Sequence, residues 1–254
     1  MVLVVVGNRY GTGFYTSSDG DVVTASHVLG DRSWNSSGTG MTVTMTGPPA
    51  FEVRNDQGKS FSVPKADLEV NGDAWGADVA RIKTRTVPPC WLEMGNDALA
   101  RPGQHIITLG FPSLAFGSLT MYSGIISARL KSELPVGKTN DGKAVLATND
   151  VLRVQMPISP GISGAAVIDD DNRVIAVVTA AGAWSAQLDF LAQLSRMGAF
   201  QNAPQNNLDL TAAVAQFAQI FHDYGSPGYG DSVPLSYLKT TAQSNPKPES
   251  TGRQ

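Results

Sequence analysis

The residues best suited to chemistry are a serine on a glycine-rich bend and a histidine far upstream of it. Ser163 lies in PISPGISGAAVID (157–169), with Gly161 two residues before it and Gly164 directly after it. A serine hydroxyl is a weak nucleophile unless a base takes its proton, and imidazole suits that task near neutral pH. The same bend suits an ordinary turn serine, so the interpretation depends on whether the chain supplies a base.

The chain contains three histidines that could act as that base. His27 follows the apolar stretch VVTAS (22–26), at a strand end where side chains reach clefts. His105 falls inside an apolar strand pattern and His222 inside a late helical pattern, so we interpret both as structural. His27 is therefore the candidate base.

A base histidine needs an acceptor on its other ring nitrogen, which fixes the tautomer and stabilises the imidazolium. Asp78 is the first candidate because it leads directly into the alternating pattern VARI (79–82). Asp67 and Asp73 are nearby alternatives, although neither leads directly into a strand. Each of these three signals is weak when it is taken alone.

Composition limits the class of protein. The chain has 254 residues, of which 42% are hydrophobic and 16% charged, with a net charge of −3. This length allows one large β domain or two small ones with a sizeable core. A clustered basic face is absent from the sequence, which argues against a nucleic-acid partner. The apolar start (1–6) is far shorter than the roughly 18 residues of a membrane span, so we expect none.

Cys90 is the single cysteine, so the chain cannot form an internal disulfide. This favours a reducing compartment or a bacterial origin over a disulfide-dense secreted domain, and we expect a cytoplasmic protein. A periplasmic or secreted location is the alternative, if a signal peptide has been removed. Cys90 itself is expected to be a small buried hydrophobic residue.

The run DDDN (169–172) offers three adjacent carboxylates, which raises the question of a metal. Because the run lies between two apolar strand patterns, it predicts a solvated hairpin turn instead. No spacing of His, Cys and Glu fits a metal site elsewhere in the sequence, and we expect neither metal nor cofactor.

The first two thirds of the chain read as many short strands separated by Gly, Pro, Asn and Asp, which favours an antiparallel barrel or sandwich. A join between two β units is expected over 88–103. The last quarter changes to helical patterns over 185–198 and 210–224. Residues 225–254 are expected to be an extended or disordered tail.

Four segments together resemble trypsin-like serine peptidases. GTGFYTSSDGDVVTASHVLGD (11–31), GADVARIK (76–83) and PISPGISGAAVID (157–169) are similar to the family's His, Asp and Ser segments, in that order. PGQHIITLGFPSLAFGSLTMYSGIISA (102–128) resembles the opening of the second barrel in the HtrA/DegP-like branch. The resemblance covers roughly residues 2–181.

The resemblance implies an all-β fold with C-terminal helices, in which two antiparallel six-stranded β-barrels form a chymotrypsin-like double barrel around a cleft. The protease domain is then expected over 1–224. Its expected parts are barrel one (about 1–95), barrel two (about 100–210), a helical insertion (about 184–206), a closing strand (207–210) and a closing helix (about 211–224).

The resemblance also implies roles for individual residues. His27 would be the general base, Asp78 its orienting carboxylate and Ser163 the nucleophile of a serine endopeptidase acting on peptides or proteins. The backbone N–H groups of Gly161 and Ser163 would form the oxyanion hole. The specificity pocket would be lined by Pro157, Thr179, Ala180 and Ala181.

The residues at the pocket predict the preferred substrate. Pro157 stands at the pocket floor, where an acid would select Arg or Lys, so we expect small or medium apolar P1 residues. Asp189 is an acidic exception, because its segment is able to fold back over the pocket.

Ile162 stands where trypsin-type zymogens carry an Asp that pairs with a new N-terminus. We therefore expect no activation by N-terminal cleavage.

The insertion at 184–206 would lie at the rim of the pocket, either as a gate or as a surface decoration. The 30 residues after Tyr224 leave no room for a PDZ domain, so regulation would come from the insertion, the tail, oligomerisation or a protein partner.

Alternative functions remain open. The chain would otherwise be a pseudoprotease-like module that binds peptide or protein in the same cleft, or a protease active only after partner binding. A viral polyprotein-processing protease of this fold is a weaker alternative, since the sequence lacks a basic RNA-binding face.

Overall fold

In the computed structural model, strands dominate the chain and fall into two main units. The structure describes residues 1–37, 40–55, 58–64, 67–70, 77–112, 118–138, 144–181 and 230–239. The elements in chain order are β1 (Val2–Val6), β2 (Arg9–Tyr15), β3 (Asp21–Thr24), α1 (Ser26–Leu29), β4 (Asp31–Ser37), β5 (Gly40–Thr46), β6 (Ala50–Asn55), β7 (Ser60–Pro64), β8 (Leu68–Val70), β9 (Ala80–Lys83), β10 (His105–Gly110), β11 (Thr120–Lys138), β12 (Ala144–Gln155), β13 (Ala166–Ile168), β14 (Val174–Ala181), β15 (Gly230–Pro234) and α2 (Ser236–Lys239).

Unit one is an antiparallel sheet of seven strands in the order β7-β6-β1-β2-β3-β9-β8. Strand β1 shows why this sequence forms sheet, since Val2, Val4 and Val6 are buried while the residues between them are partly exposed. Within the described residues the edge strands β7 and β8 do not pair. The closed six-stranded barrel expected for this unit is therefore not what its described strands form.

Unit two is a closed six-stranded barrel in the order β10-β11-β12-β15-β14-β13. This confirms the barrel predicted for the second unit. Closure removes the exposed strand edges on which other chains could pair. The largest buried side chains inside it are apolar: Ile106, Ile126, Leu152, Ile162 and Ile175.

A third apolar cluster joins the two units. Phe14 and Val23 of unit one pack in the same buried cluster as Ala166, Val177 and Leu235 of unit two. Burying apolar area from both sides makes separation of the units costly, at about 25 cal/mol for each Å² re-exposed. The strand ends of both units that meet at this boundary are thereby held in fixed positions.

The strand that closes unit two differs from the predicted one. β15 (Gly230–Pro234) pairs with both β12 and β14, whereas the expected strand (207–210), helix (211–224) and insertion (184–206) lie outside the described residues. Arg153 Nε donates to Asp231 Oδ1 over 2.9 Å, and this contact raises the pKa of Arg153 above its usual value. The tail expected from residue 225 is thus corrected, because residues 230–239 form a strand and a short helix.

The DDDN run forms the predicted hairpin turn between β13 and β14. The Asp169 Oδ1 atom accepts the backbone N–H groups of Asp171 and Arg173, and Asn172 has a φ of 59°. An Asp side chain that caps its own turn in this way needs no metal to hold it.

The prediction for Cys90 is wrong, because its side chain is exposed. The segment between β9 and β10 has few pairings, and Val87 is 88% exposed. Pro88 and Pro89 lack backbone N–H groups and cannot donate to a sheet, and Pro89 is exposed like Cys90 after it.

Candidate active site

The pairing of β3 with β9 brings His27 close to Asp78. The two strands are antiparallel, with Thr24 opposite Ala80. His27 lies just after the end of β3, and Asp78 lies just before the start of β9. Because the end of one antiparallel strand meets the start of its neighbour, the two residues lie at the same edge of the sheet.

Asp78 accepts three described hydrogen bonds from the turn that carries His27. Its Oδ1 atom accepts from Ser26 Oγ at 2.6 Å and from the His27 backbone N–H at 2.9 Å. Its Oδ2 atom is hydrogen-bonded to His27 Nδ1. The Asp78 side chain is only 12% exposed, whereas the His27 side chain is 42% exposed.

This arrangement fixes the tautomer of His27. An ionised carboxylate can only accept hydrogen bonds, so Nδ1 must carry the proton that lies between it and Asp78. The Nε2 atom of the neutral ring then has a free lone pair. The arrangement can therefore support proton abstraction by the exposed side of the imidazole.

The segment around Ser163 is a tight turn that depends on two glycines. Gly161 has a φ of 93° and Gly164 a φ of 89°, a region that other residues rarely adopt. A Cβ on Gly164 would stand 2.0 Å from the Thr12 carbonyl oxygen and 2.3 Å from Thr24 Oγ1. The turn is thus pressed against β2 and β3 of unit one.

Two backbone N–H groups of this turn lack an acceptor among the described residues, namely those of Gly161 and Ser163. Their neighbours are paired: Ile162 N donates to Ser159 O at 3.2 Å and Gly164 N donates to Val178 O at 2.7 Å. Unpaired donors next to a serine are suited to stabilising a negative oxygen.

The backbone of this turn contacts the strands that lead to His27. Thr12 N donates to the Ser163 carbonyl at 2.8 Å, and a Cβ on Gly164 would lie 2.8 Å from Ala25 N. Within the described chain, Ser163 Oγ and His27 form no mutual hydrogen bond. Catalytic hydrogen bonds are often long or absent without substrate, so this does not separate the two residues functionally.

The Ile162 side chain packs the turn against unit two. It is fully buried in the core of unit two, in the same cluster as Ile158 and Ala165. Apolar side chains therefore surround the residue that stands where trypsin-type zymogens carry an Asp.

The four residues expected at the specificity pocket are placed as follows. Pro157 is exposed and lies two residues after the end of β12, and Thr179 to Ala181 end strand β14. Thr179 Oγ1 donates to Asp231 O at 3.3 Å, at a register shift between Val178 and Ala180. Because Val178 O accepts the Gly164 N–H, this strand end adjoins the turn that carries Ser163.

Two other sequence candidates, His105 and Asp67, are not brought to the site. His105 begins β10 and is exposed, and Asp67 forms an ion pair with Arg85 at 2.5 Å. His222, Asp73 and Asp189 lie outside the described residues. Ser26 and Thr12 are functional candidates that sequence reasoning missed, since residue type alone does not show which way a hydroxyl points.

No group of three or more His, Cys, Asp or Glu side chains is arranged to hold a metal ion within the described ranges. No helix in that same part of the chain has the length and apolar character to cross a membrane.

This fold and site define a class of protein. Residues 11–177 match the trypsin-like peptidase domain, and the chain belongs to that family. The resemblance inferred from the sequence is thereby confirmed.

Within the family, the chain is similar to HtrA and DegP proteins. It is 29% identical over 175 residues to a probable periplasmic DegP-like serine endoprotease of Chlamydia pneumoniae, covering 67% of this chain and 28% of that protein. It is 27% identical over 179 residues to a putative Do-like protease of Arabidopsis thaliana, covering 68% and 36%. The chain thus spans about a third of the length of these curated relatives.

Solved structures share the fold. A protease from M. tuberculosis in its active form gives a TM-score of 0.60 at 18% identity, covering 99% of this chain and 83% of that one. The HtrA-type protease AlgW with a decapeptide gives 0.56 at 18% identity, covering 91% and 50%. The chlamydial relative is named as periplasmic, whereas the cytoplasmic location expected for this chain stays a prediction.

Proposed function

We propose that the chain is a serine endopeptidase that cleaves peptide bonds through an acyl-enzyme. The observation that carries this is the Asp78 carboxylate bonded to His27 Nδ1, together with a turn at Ser163 whose Gly161 and Ser163 N–H groups have no acceptor among the described residues. Base, nucleophile and oxyanion donors are the three parts that acyl transfer requires.

In the first half of the reaction, His27 Nε2 takes the proton from Ser163 Oγ as that oxygen attacks the substrate carbonyl carbon. The carbonyl π electrons move to its oxygen, which the Gly161 and Ser163 N–H groups stabilise. The protonated His27 then gives its proton to the amine nitrogen as the C–N bond breaks. An ester to Ser163 remains, and the Asp78 carboxylate stabilises the imidazolium throughout.

In the second half, water repeats the sequence in place of Ser163. His27 takes a proton from the water as its oxygen attacks the ester carbon, and returns a proton to Ser163 Oγ when the ester breaks. The exposed side of the His27 ring gives water access for this step. The products are a carboxylic acid and the free enzyme.

The preferred residue before the cleaved bond is proposed to be small or medium and apolar. Pro157 offers no charge to pair with Arg or Lys, and the Ile158 side chain beside it is buried. Ile162 supports the further proposal that N-terminal cleavage does not activate the enzyme, since its buried methyl groups cannot pair with an ammonium group.

The test is digestion of a proteome-derived peptide library, with cleaved bonds identified by mass spectrometry. The wild type should cut internal bonds after residues such as Ala, Val or Leu, and Ser163→Ala should leave the library intact. Equal cleavage by Ser163→Ala would remove the peptidase proposal. Cleavage confined to bonds after Arg or Lys would overturn only the pocket assignment.

A further inference from the structure

Thr12 occupies an unusual position between the two units. It lies in β2 between Gly11 and Gly13 and is fully buried. Its hydroxyl donates to the Gly161 carbonyl at 2.7 Å and accepts the Phe111 N–H at 2.9 Å. Its backbone N–H donates to the Ser163 carbonyl at 2.8 Å. One residue of unit one therefore binds two carbonyls of the nucleophile turn in unit two.

These contacts hold alternate peptide groups of the turn at both ends. The Gly161–Ile162 peptide is held by Thr12 Oγ1 at its carbonyl and by Ser159 O at its N–H. The Ser163–Gly164 peptide is held by Thr12 N at its carbonyl and by Val178 O at its N–H. The N–H groups of Gly161 and Ser163 have no described acceptor. The first belongs to the Pro160–Gly161 peptide, directly before the two held peptides, and the second to the Ile162–Ser163 peptide between them.

We propose that the Thr12 hydroxyl is a positioning residue that keeps the Gly161 and Ser163 N–H groups directed at one oxyanion site. This inference rests on the proposed peptidase function. Gly161 has no Cβ, so its flanking peptides rotate easily unless something holds them. The Thr12 hydroxyl holds the carbonyl between the two donors, and loss of that bond would let the donors turn apart.

Thr12 is itself held in place by the neighbouring strand β3. Its carbonyl accepts a hydrogen bond from Thr24 Oγ1 at 2.7 Å, which ties it to β3 directly before the His27 turn. Thr12 is thus fixed relative to the base, and it fixes the oxyanion donors in turn. Preorganised donors stabilise a transition state because they need no reorganisation when charge develops.

The decisive variants are Thr12→Val, which keeps the shape and removes the hydroxyl, and Thr12→Ser, which keeps the hydroxyl. The matched control is Thr108→Val, because Thr108 is also fully buried and its hydroxyl donates to Ala166 O at 2.7 Å within unit two. All are assayed as full chains for kcat, for KM and for the affinity of a peptide trifluoromethyl ketone.

We expect kcat of Thr12→Val to fall about 100-fold, as for loss of an oxyanion donor, while KM changes by less than about threefold. The affinity for the ketone should fall in parallel with kcat/KM, because the ketone adduct places an oxyanion at the same site. Thr12→Ser should restore kcat to within about threefold of the wild type, and Thr108→Val should stay equally close.

An unchanged kcat in Thr12→Val would overturn the inference, and so would an equal loss in Thr108→Val. If the wild type cleaves nothing, that result counts against the proposed function alone. Crystal structures of wild type and Thr12→Val then still test the inference. A rotated Gly161–Ile162 peptide in Thr12→Val supports the inference and an unmoved one overturns it. Thr12→Ala serves the same comparison if Thr12→Val does not fold.

Discussion

Ser26 Oγ donates a hydrogen bond to Asp78 Oδ1 over 2.6 Å, while His27 Nδ1 binds the other oxygen of the same carboxylate. Ser26 is fully buried, and the His27 backbone N–H donates to the same Oδ1 atom. Two successive residues of α1 thus orient the carboxylate that orients the imidazole. The short helix therefore holds Asp78 and His27 together and is not only a connection after β3.

The first prediction concerns this hydroxyl. Ser26→Ala should lower kcat about tenfold, equivalent to about 1.4 kcal/mol of transition-state stabilisation, because Asp78 loses a donor and gains rotational freedom. Ser232→Ala is the control, since Ser232 is equally buried and its hydroxyl has no partner among the described residues. Steady-state hydrolysis of a fluorogenic peptide gives both values. The same kcat in Ser26→Ala and wild type would show that Asp78 needs no such donor.

The second prediction compares two glycines with similar backbones. Gly164 and Gly103 have φ values of 89° and 85°, but a Cβ at Gly103 meets nothing within 4 Å. Gly103→Ala should cost about 1–2 kcal/mol for its left-handed conformation alone. Gly164→Ala should cost more than about 4 kcal/mol or prevent folding, since its Cβ would overlap Thr12 O. Urea unfolding measures both, and equal losses would contradict this account of the turn.

The third prediction concerns the contacts of Asp97 with α2, the short helix that follows the last strand of unit two. Asp97 is buried and accepts hydrogen bonds from Ser236 N at 2.9 Å, Ser236 Oγ at 3.0 Å and Arg129 Nη2 at 3.3 Å. Asp97→Ala should lower the free energy of unfolding by about 2–3 kcal/mol, because it leaves these donors unpaired. Arg54→Ala, which breaks an exposed ion pair with Glu52, should have a much smaller effect. The prediction fails if the two variants lose equal stability.

The fourth prediction concerns alkaline pH. Burial raises the pKa of Tyr237 above 10.0, and its hydroxyl oxygen accepts the Asp150 N–H at 2.7 Å. Above that pH the unfolded chain releases the proton while the folded chain keeps it, so stability falls as pH rises. The loss between about pH 9 and about pH 11 should be smaller in Tyr237→Phe. Tyr10→Phe, which changes an exposed tyrosine, should follow the wild type, and identical curves for all three would refute this role for Tyr237.

The sequence was sufficient for the second barrel and for the family. Alternating apolar residues and turn residues identified most strands, and the DDDN run was correctly interpreted as a hairpin turn. Strand β15 was missed because Gly230 and Pro234 at its ends resemble loop residues. Its place is decided by pairing with β12 and β14 and by Asp231 with Arg153, which are contacts between residues far apart in the chain.

What the sequence did not reveal at the candidate site has a similar cause. The order of His27, Asp78 and Ser163 along the chain was enough to propose a triad. The contacts of Thr12 and Ser26 could not be predicted from the sequence. The Thr12 hydroxyl binds a carbonyl of the other unit, and the Ser26 hydroxyl binds a carboxylate beside the neighbouring strand. Cys90 was misjudged because residue type outweighed the two prolines before it.

Activation of Ser163 by His27 is measured most directly by labelling with a fluorophosphonate probe, with the modified residue located by peptide mapping. Such probes phosphonylate an activated serine without requiring a known substrate. We expect one adduct per chain, located on Ser163 and lost in both Ser163→Ala and His27→Ala. Labelling of the folded wild type at another serine, or no labelling at all, would contradict the claim that Ser163 is activated by His27.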